Sequence, residues 1–459
     1  MSNTPRASTT GSSLVRCLGP LDGAGVVVSN VIGGGIFFLP AIVAQSITHP
    51  WWMVGVWVAG GALAFAGAMA YAELAALRPR AGGEYVYLRE AFGPLAAFLT
   101  GWTSFVAGFS GAIAASAVAL ASYLGRFLPA ASNSQPLAAV ALGPLTLSVS
   151  PQTILALTVI VSLTAVHVVG IGPGLLVQNL LAGMKVALLV VFVGIGFTLG
   201  DGSWAHATSG FEPVSGSSWL LALLPVMFAY SGWNAAAYLA EEVKNPERNV
   251  PLALGLGTVM VVAIYVMLNL LYLYALPVEE FATVDGSVAD AVAERLFGSA
   301  VAVPIAAASI VMIAASISAM VFAGPRVYFA MAQDGQFFSA AARVHSRFRT
   351  PATAIIAQSL WASLLVLTGT FQQLVDYTAF AVVLFAGIAV TALFVLRFRN
   401  PVVERPFKAW GYPVAPFVFV VTSAALVVNS IWRNPVTSAA GLLVISAGVP
   451  LYLLMRRWR

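Results

Sequence analysis

Long apolar stretches alternate with short polar connectors along almost the whole chain. A helix needs about 20 apolar residues to cross the hydrocarbon core of a bilayer, and by that measure we predict about twelve membrane-spanning helices. Their predicted ranges are 20–48, 51–77, 94–127, 152–170, 172–200, 217–240, 251–276, 301–325, 352–370, 372–396, 413–432 and 436–455. We therefore expect an all-α integral membrane protein.

The composition agrees with this prediction and argues against several other classes of protein. Of 459 residues, 60% are hydrophobic and 8% are charged, whereas soluble domains carry about 25% charged residues. A single cysteine, Cys17, and four histidines allow no internal disulfide bond and no metal site, so we expect neither a metal nor a cofactor. The sequence contains no G-x-x-x-x-G-K-[ST], no H-E-x-x-H and no clustered intramembrane aspartates. We therefore expect neither direct use of ATP nor an enzyme.

The distribution of basic residues predicts the orientation in the membrane. With the N-terminus in the cytoplasm, 18 of the 22 Lys and Arg residues lie on the cytoplasmic side, because only Arg126, Arg295 and Arg433 fall outside and Lys185 falls within the membrane. Cytoplasmic loops carry the excess of Lys and Arg. We therefore expect a multi-pass protein of the cytoplasmic (inner) membrane with cytoplasmic tails at 1–17 and 456–459. The basic residues lie in short loops, so no nucleic-acid partner is expected.

Three connecting segments show patterns of their own. Residues 288–298 have apolar residues at helical spacing, which predicts a short helix on the outer surface. Residues 78–94 and 332–351 are predicted to be cytoplasmic connectors, and the second can contain a short amphipathic helix. Each connector is either a plain solvated loop or a part of a gate.

Glycines interrupt the first predicted span at Gly33, Gly34 and Gly35. Each glycine costs about 1 kcal/mol of helix propensity relative to alanine. They either allow close helix packing or open the helix where it lines a cavity. The sixth predicted span is also interrupted, at Ser231-Gly232. Two breaks in corresponding positions are typical of transporters built from inverted repeats, and this favours the second explanation.

The repeat hypothesis divides the chain into predicted units. The first repeat is expected at 18–200, the second at 217–397, and two additional spans at 413–455. The N-terminal ends of half-helices suit a carboxylate, and unwound carbonyl groups suit an ammonium group. A zwitterionic amino acid offers both groups, so the breaks predict an amino acid ligand.

One charged residue, Lys185, lies inside the fifth predicted span with about ten apolar residues on each side. A charge near the bilayer centre costs at least about 2.5 kcal/mol on insertion scales. Lys185 either extends to an interface or bridges the broken helices, as a fixed ammonium or as a group that exchanges a proton. No acidic residue is expected at the depth of the breaks, since Glu73 and Glu84 flank the cytoplasmic end of the second span. This argues against a substrate with a cationic side chain.

Several motifs resemble those of a known transporter family. VIGGGIFFLP resembles the first-span signature of the amino acid–polyamine–organocation superfamily, and FAYSGWNAAAYLAEEVKNPERNVP resembles the sixth-span motif of its L-type amino acid transporter branch. RAGGEYVYLREAFGP, QNLLAGMKVALLV and ERPFKAWGYPVAPF are similar to intervening segments of that branch. The resemblance runs from about residue 15 to 430. It implies a leucine-transporter-type five-plus-five inverted repeat with two further helices.

The resemblance also implies roles for particular residues. Backbone N–H groups of Ile32, Gly33, Gly34, Gly35 and Ile36 would bind the substrate carboxylate, and the carbonyl groups of Phe228, Ala229 and Ser231 would bind its ammonium group. Phe228 would be an aromatic gate, and Gly232 and Trp233 would border the pocket. Lys185 would replace a sodium ion by contacting the first helix and a serine of the eighth span, either Ser316 or Ser318.

This chain departs from the family pattern in two places. Gly34 stands where the family usually has a serine, which leaves carboxylate binding there to the backbone. Residues 127–151 contain no cysteine, although mammalian members use an outer-loop cysteine to join a heavy chain. We therefore expect no disulfide-linked heavy chain and no accessory subunit.

These observations predict a sodium-independent secondary transporter of neutral L-amino acids that works by alternating access, through exchange or proton coupling. The alternatives are a transporter of amines, polyamines or cationic amino acids, and a non-transporting amino acid sensor with the same fold. An acidic residue in the pocket would favour the first alternative.

Overall fold

The computed structural model describes residues 14–143, 145–208, 216–284, 286–369 and 371–457. The predicted tail residues 1–13 and 458–459 therefore lie outside the described residues. The helices are α1 (Pro20–Val31), α2 (Gly35–Ala44), α3 (Pro50–Leu77), α4 (Glu84–Phe92), α5 (Pro94–Thr103), α6 (Phe109–Leu124), α7 (Pro151–Val169), α8 (Ile171–Leu199), α9 (Gly216–Ala229), α10 (Ala235–Tyr238), α11 (Pro246–Ala275), α12 (Val278–Phe281), α13 (Val288–Phe297), α14 (Ala302–Ala323), α15 (Pro325–Gln333), α16 (Ala352–Thr368), α17 (Phe371–Arg399), α18 (Val414–Arg433), α19 (Pro435–Ser446) and α20 (Gly448–Arg457).

Apolar helices occupy every predicted span. Within the described residues, nine helical segments are long and apolar enough to cross a membrane, and the bent pair α1 and α2 forms a tenth. Shorter apolar helices cover Ser218–Ala229 and Ala352–Thr368, in the sixth and ninth predicted spans. The prediction of an all-α membrane protein is confirmed.

Prolines begin many of these helices. Pro50, Pro94, Pro151 and Pro246 each stand in the first turn of a helix, where the missing N–H costs nothing because the first turn has no intrahelical acceptor. Ser150 strengthens the start of α7, since its side chain accepts a hydrogen bond from the Thr153 N–H.

Both predicted interruptions are present. Helix α1 ends at Val31 and α2 begins at Gly35, and the two are bent by 48°. In the sixth span, α9 ends at Ala229, and the helical segment α10 that follows has only four residues. The glycine-rich sequences therefore open the helices where the chain pattern predicted.

Small residues let the central helices approach closely. Helices α1 and α3 both pack on α11. A Cβ atom on Gly23 of α1 would lie 2.7 Å from the Ala253 side chain, and one on Gly257 of α11 would lie 2.7 Å from Val27. Such contacts are typical of membrane helix interfaces, where close van der Waals packing replaces the hydrophobic effect.

One end of the bundle, called here the basic end, carries the connectors 78–93 and 334–351. Three ion pairs lie at this end: Arg326 with Glu242 at 2.7 Å, Arg397 with Glu73 at 2.5 Å, and Arg80 with Asp334 at 3.1 Å. The Arg326 and Glu242 side chains are both fully buried. These pairs join distant segments and fix the ends of the helices.

The connecting segments confirm one expectation and limit another. The predicted short helix at 288–298 exists as α13 and packs on α2 and α11. In 332–351, however, the described helical structure beyond the end of α15 is a 3₁₀ turn, Ser339–Ala342, and Gly335, with φ +65°, lies just after the end of α15. At the opposite end of the bundle, an unpredicted antiparallel hairpin joins Ala138–Leu142 to Leu145–Val149.

Candidate substrate-binding site

Lys185 fastens the end of α1 to α14. Its fully buried Nζ donates to the Ser29 carbonyl at 3.1 Å, to Ser316 Oγ at 2.8 Å and to the Ile32 carbonyl. The Ser316 hydroxyl donates to the Ile32 carbonyl at 3.0 Å, so its oxygen accepts from Lys185. Three acceptors match the three N–H groups of an ammonium. The arrangement therefore fits a charged Lys185.

Ser318, the other predicted partner of Lys185, contacts a different residue. Its Oγ lies 2.9 Å from His167 Nε2 in a buried contact. Residues two apart on a helix point about 200° away from each other, so Ser316 and Ser318 cannot both face Lys185. The structure selects Ser316, and the alternative of Ser318 is wrong.

The predicted carboxylate-binding segment forms the start of α2. Gly33 lies next to Ser316, Gly34 is exposed, and Gly35 packs against Ala229. The first N–H groups of a helix have no intrahelical acceptor. The N–H groups of Gly35 and Ile36, in the first turn of α2, can therefore donate to an acceptor outside the helix, such as a ligand. The neighbouring Ile32 and Ile36 side chains are buried.

The second break presents the predicted ammonium-binding carbonyl groups. The Phe228 carbonyl accepts from the Ser231 N–H at 3.0 Å, and the Ala229 carbonyl lies 3.0 Å from the Tyr265 hydroxyl. Each carbonyl oxygen has a second lone pair, so neither is saturated. Gly232 has φ +101°, a left-handed conformation that glycine adopts without steric cost.

Tyr265 connects the two breaks. Its buried hydroxyl lies 2.9 Å from the Val31 carbonyl oxygen at the end of α1 and 3.0 Å from the Ala229 carbonyl oxygen at the end of α9. The single proton of this hydroxyl is therefore shared between two helix ends, whose last carbonyl groups have no intrahelical donor.

A cavity of about 200 Å³ touches both broken spans. It is smaller than the pockets of about 300–1,000 Å³ that hold drug-sized ligands, so it suits a compact molecule. Its lining includes Asn30 of α1, the second-break residues Ser231, Gly232, Trp233 and Asn234, and residues Tyr71, Glu84, Thr103, Ser104, Gly108, Phe109, Met320, Phe385 and Phe419 from other helices.

Some predicted site residues line this cavity and others do not. Ser231, Gly232 and Trp233 are in its lining. Trp233 is held by edge-to-face contacts with Tyr71 at 4.8 Å and Phe419 at 5.7 Å between ring centroids. Residues 32–36, Phe228 and Ala229 are outside the described lining, and Gly35 of α2 packs against Ala229 of α9.

Sequence reasoning missed a π-helical turn in the third span. Residues Ser104–Gly108 form this turn, and both of its end residues line the cavity. The Ser104 carbonyl accepts from the Tyr328 hydroxyl at 3.1 Å, and the Val106 carbonyl accepts from Trp361 Nε1 at 2.8 Å. Such π-helical turns are frequent at functional sites, but no pattern in this sequence predicts one.

The structure also overturns the expectation that the site has no acidic residue. Glu84, the first residue of α4, lines the cavity and is 7% exposed. Its Oε1 accepts from the Tyr238 hydroxyl at 2.8 Å and its Oε2 from Asn234 Nδ2 at 3.2 Å. Burial raises the pKa of Glu84 from 4.5 to about 7. The sequence placed Glu84 in a connector, and only the folding of that connector beneath the sixth span brings it to the cavity.

The described residues offer no metal centre: no three His, Cys, Asp or Glu residues among them lie close enough together to hold an ion. What the site provides is a compact cavity between two interrupted membrane helices, with helix-end N–H groups and incompletely saturated carbonyl groups at the two breaks.

Comparison with known proteins agrees with this arrangement. A family model described as amino acid permease matches residues 18–454. Large neutral amino acids transporter small subunit 2 of Oryctolagus cuniculus is 30% identical, over 99% of this chain and 83% of the relative. Asc-type amino acid transporter 1 of Mus musculus is 28% identical over 97% and 82%, and the cystine/glutamate transporter of Homo sapiens is 29% identical over 95% and 85%. The chain belongs to the amino acid permease family of membrane transporters.

Proposed function

We propose that this protein is a sodium-independent secondary transporter of neutral L-amino acids. The observation that carries the proposal is the buried ammonium of Lys185, which holds two carbonyl groups at the end of α1 and the Ser316 hydroxyl. A resident cation at this point performs the bridging task for which other transporters need a sodium ion. The printed names of two relatives, a large neutral amino acids transporter and an Asc-type amino acid transporter, support the substrate class.

The two breaks would divide the recognition of the substrate between them. The N–H groups of residues 33–36 would bind the carboxylate with help from the dipole of α2, and the carbonyl groups of Phe228, Ala229 and Ser231 would bind the ammonium group. The Ile32 N–H, which the sequence also predicted to bind the carboxylate, is left out of the proposal because it donates to the Val28 carbonyl at 2.9 Å. Phe228 would close over the ligand, and Trp233 and Gly232 would border it. Closure of both half-helices over one zwitterion is the step that would drive alternating access.

The proposed topology follows from charge and repeat symmetry. The basic end would face the cytoplasm, with both termini there and the protein in the inner membrane. Residues 18–200 and 217–397 would be the inverted repeats, and 413–455 the additional spans. The breaks at Gly33–Gly35 and Ser231–Gly232 stand in the first span of each proposed repeat, which supports the division.

We further propose that the protein works without a disulfide-linked partner. The name of one relative, small subunit, says that the relative is one part of an assembly. In this chain the only cysteine is Cys17, and the hairpin segment 127–151 has none. A single-chain preparation would therefore be active.

A second candidate, transport of cationic amino acids or amines, is favoured by Glu84 in the cavity lining. Two facts weaken it. Both Glu84 oxygens already accept hydrogen bonds from the protein, and the predicted ammonium-binding groups are uncharged carbonyls. We therefore retain the neutral substrate as the main proposal.

The test is uptake of labelled neutral amino acids by the purified chain in sealed, sodium-free proteoliposomes, either empty or preloaded with amino acid. We expect uptake into preloaded vesicles. An inward proton gradient applied to empty vesicles separates exchange from proton-driven accumulation. Competition by unlabelled lysine and putrescine tests the cationic candidate.

Three results would contradict the proposal. A strict requirement for sodium would reject the role of Lys185. Uptake of lysine or putrescine without uptake of leucine would support the second candidate. Binding of leucine in equilibrium dialysis without movement into any vesicle would indicate a sensor.

A further inference from the structure

Glu84 is a buried carboxyl group that joins a connector to a broken membrane helix. It begins α4 at the basic end, and its two hydrogen-bond donors, Asn234 and Tyr238, belong to the C-terminal part of the broken sixth span. Two more bonds fasten the same segments: the Gly82 N–H donates to the Tyr238 carbonyl at 3.1 Å, and the Ala81 N–H donates to Glu241 at 3.1 Å. Any movement of this half-helix away from the connector must therefore break the contacts of Glu84.

The groups that face Glu84 carry no positive charge. They are the hydroxyls of Tyr71 on α3, Tyr87 on α4, Tyr238 on α10 and Tyr328 on α15, together with the Asn234 amide. The described cations on the neighbouring elements are bound elsewhere: Arg78 to Glu90, Arg80 and Arg89 to Asp334, Arg326 to Glu242, Arg397 and Arg405 to Glu73, and Arg399 to the Ala91 carbonyl. An ionised Glu84 in this position would be a buried charge without a counter-ion, which is unfavourable.

We propose that Glu84 is a proton-binding site, and that its protonation is coupled to the movement of the broken sixth span. The inference rests on the proposed transport function, because it assumes that this half-helix moves during the cycle. When the connector and the half-helix are together, as described here, the buried carboxylate takes up one proton from water. When they separate, water reaches Glu84 and the proton is released.

The direction of the effect follows from the pKa. In the buried arrangement the pKa of Glu84 is about 7, against its ordinary value of 4.5, because burial disfavours the charged form. Protonation therefore stabilises the buried arrangement, and this stabilisation is lost as the pH rises through 7. A group with such a pKa is about 90% protonated at pH 6 and about 10% at pH 8. The buried arrangement should thus be favoured about tenfold more at pH 6 than at pH 8.

A proton suits this position better than a larger cation does. Glu84 is 7% exposed, so an ammonium group would have to lose most of its water to reach the carboxylate. A proton needs no such space. The neutral carboxylic acid that forms can keep its contacts with both Asn234 and Tyr238.

Infrared difference spectroscopy of the purified full-length protein tests the site directly and needs no transport. We expect the carbonyl-stretch band of a protonated carboxylic acid to disappear with a midpoint near pH 7, and we expect Glu84→Gln to lack this band. Glu90→Gln is the matched control, because Glu90 lies on the same helix but is one-third exposed and paired with Arg78. Absence of a band that titrates between pH 6 and 8 would overturn the proposal.

Exchange in proteoliposomes at pH 6 to 8 on both sides tests the coupling. We expect wild-type exchange to be up to about tenfold slower at pH 6, because the more stable buried arrangement opens less often. Glu84→Gln, which mimics the protonated group, should show the slower rate at every pH, and Glu90→Gln should follow the wild-type profile. A titrating band with identical pH profiles for wild type and Glu84→Gln would overturn the coupling.

Tyr238→Phe separates a proton site from a merely structural contact. The Tyr238 hydroxyl lowers the pKa of Glu84 through its hydrogen bond, so its removal should move the midpoint of both the infrared titration and the exchange profile to higher pH. A change of rate without a shift of midpoint would indicate a structural role and contradict the proposal.

The outcomes also distinguish this inference from the function on which it rests. A wild-type protein that moves no neutral amino acid at any pH contradicts the proposed function, whatever the infrared band shows. Lysine transport that is lost in Glu84→Gln while leucine exchange keeps its pH profile would make Glu84 a substrate site instead of a proton site.

Discussion

The two broken spans stabilise their interrupted backbone in different ways. At the first break, the buried ammonium of Lys185 donates hydrogen bonds to the carbonyl groups of Ser29 and Ile32. At the second break no cation contacts the described backbone, and the conformation of Gly232, with φ +101°, turns the chain instead. The residues after that turn line the cavity, whereas those of the first break are packed against α9 and α14.

Because of this difference in hydrogen bonding, we expect the two breaks to differ in mobility. A fully buried ammonium with three acceptors is costly to rearrange, because each buried partner would lose its hydrogen bond. A left-handed glycine beside a cavity has few hydrogen bonds that would have to break. The first break is therefore expected to be the more rigid of the two when both half-helices close over the ligand, and the second is expected to respond more to the ligand and to Glu84. The following substitutions test this contrast.

Lys185→Ala should have the largest effect. It removes the donor that the buried Ser29 carbonyl and Ser316 Oγ share, at about 1–3 kcal/mol for each acceptor, and it removes the buried charge at the break. We expect the exchange rate to fall about 100-fold, which corresponds to about 3 kcal/mol. Met184→Ala is the control, because Met184 is the preceding residue on α8 and is exposed. Equal exchange by the two variants would remove Lys185 from the proposed mechanism.

Gly232→Ala should be the next most damaging change and should distinguish the glycines of the two breaks. A left-handed alanine costs about 1–3 kcal/mol, and its Cβ would lie 3.1 Å from the Asn30 backbone. Gly34 has φ −59° and only ordinary contacts with Phe38, so Gly34→Ala should change the free energy of unfolding by less than about 0.5 kcal/mol. Thermal unfolding of both variants in detergent measures the difference, and equal losses would contradict the contrast.

Ser316→Ala tests the selection of one serine over another. It removes an acceptor of Lys185 and a donor to Ile32, and should destabilise the protein by about 1–2 kcal/mol and slow exchange. Ser318→Ala removes only the contact with His167 and should leave the exchange rate near wild type. A greater loss of exchange in Ser318→Ala would show that the transport cycle depends on the other serine.

Tyr265→Phe should have the smallest effect, and the effect should appear at both breaks. The hydroxyl lies within hydrogen-bonding distance of both Val31 and Ala229 carbonyl oxygens, and its loss should cost about 1 kcal/mol. In Tyr272→Phe the lost contact, to the Ile36 carbonyl at 3.5 Å, is weaker, so this variant serves as the control. Hydrogen exchange should increase at the ends of both α1 and α9 in Tyr265→Phe only.

Much of the fold was predictable because the bilayer imposes simple rules. The apolar runs gave every spanning segment, and glycine and proline marked where helices open or begin. The failures concern short segments: the expected helix at 332–351 is only a 3₁₀ turn, Ser339–Ala342, and the hairpin Ala138–Leu142 with Leu145–Val149 was not expected. In such segments a few tertiary contacts outweigh local propensity.

The candidate site was predictable in part. The breaks and Lys185 were identified from their residue types alone, since glycine and lysine are conspicuous in an apolar span, whereas Trp233 was identified from the resemblance to a transporter family. The choice between Ser316 and Ser318 required knowing which side of α14 faces α8. Thr103, Ser104 and Phe109 carry no signal in the sequence, because ordinary residues form the π-helical turn of the third span.

By itself the sequence determined that this chain crosses the membrane many times, that two spans are interrupted, and that one lysine, Lys185, lies inside the fifth span. These properties depend on hydropathy and on the intrinsic conformations of glycine, which act locally. Only the tertiary structure decided that Lys185 contacts Ser316 and the first break, that α2 packs against α9, and that Glu84 reaches the cavity from a connector. Those contacts join residues more than 100 positions apart, and they depend on how the helices pack against one another.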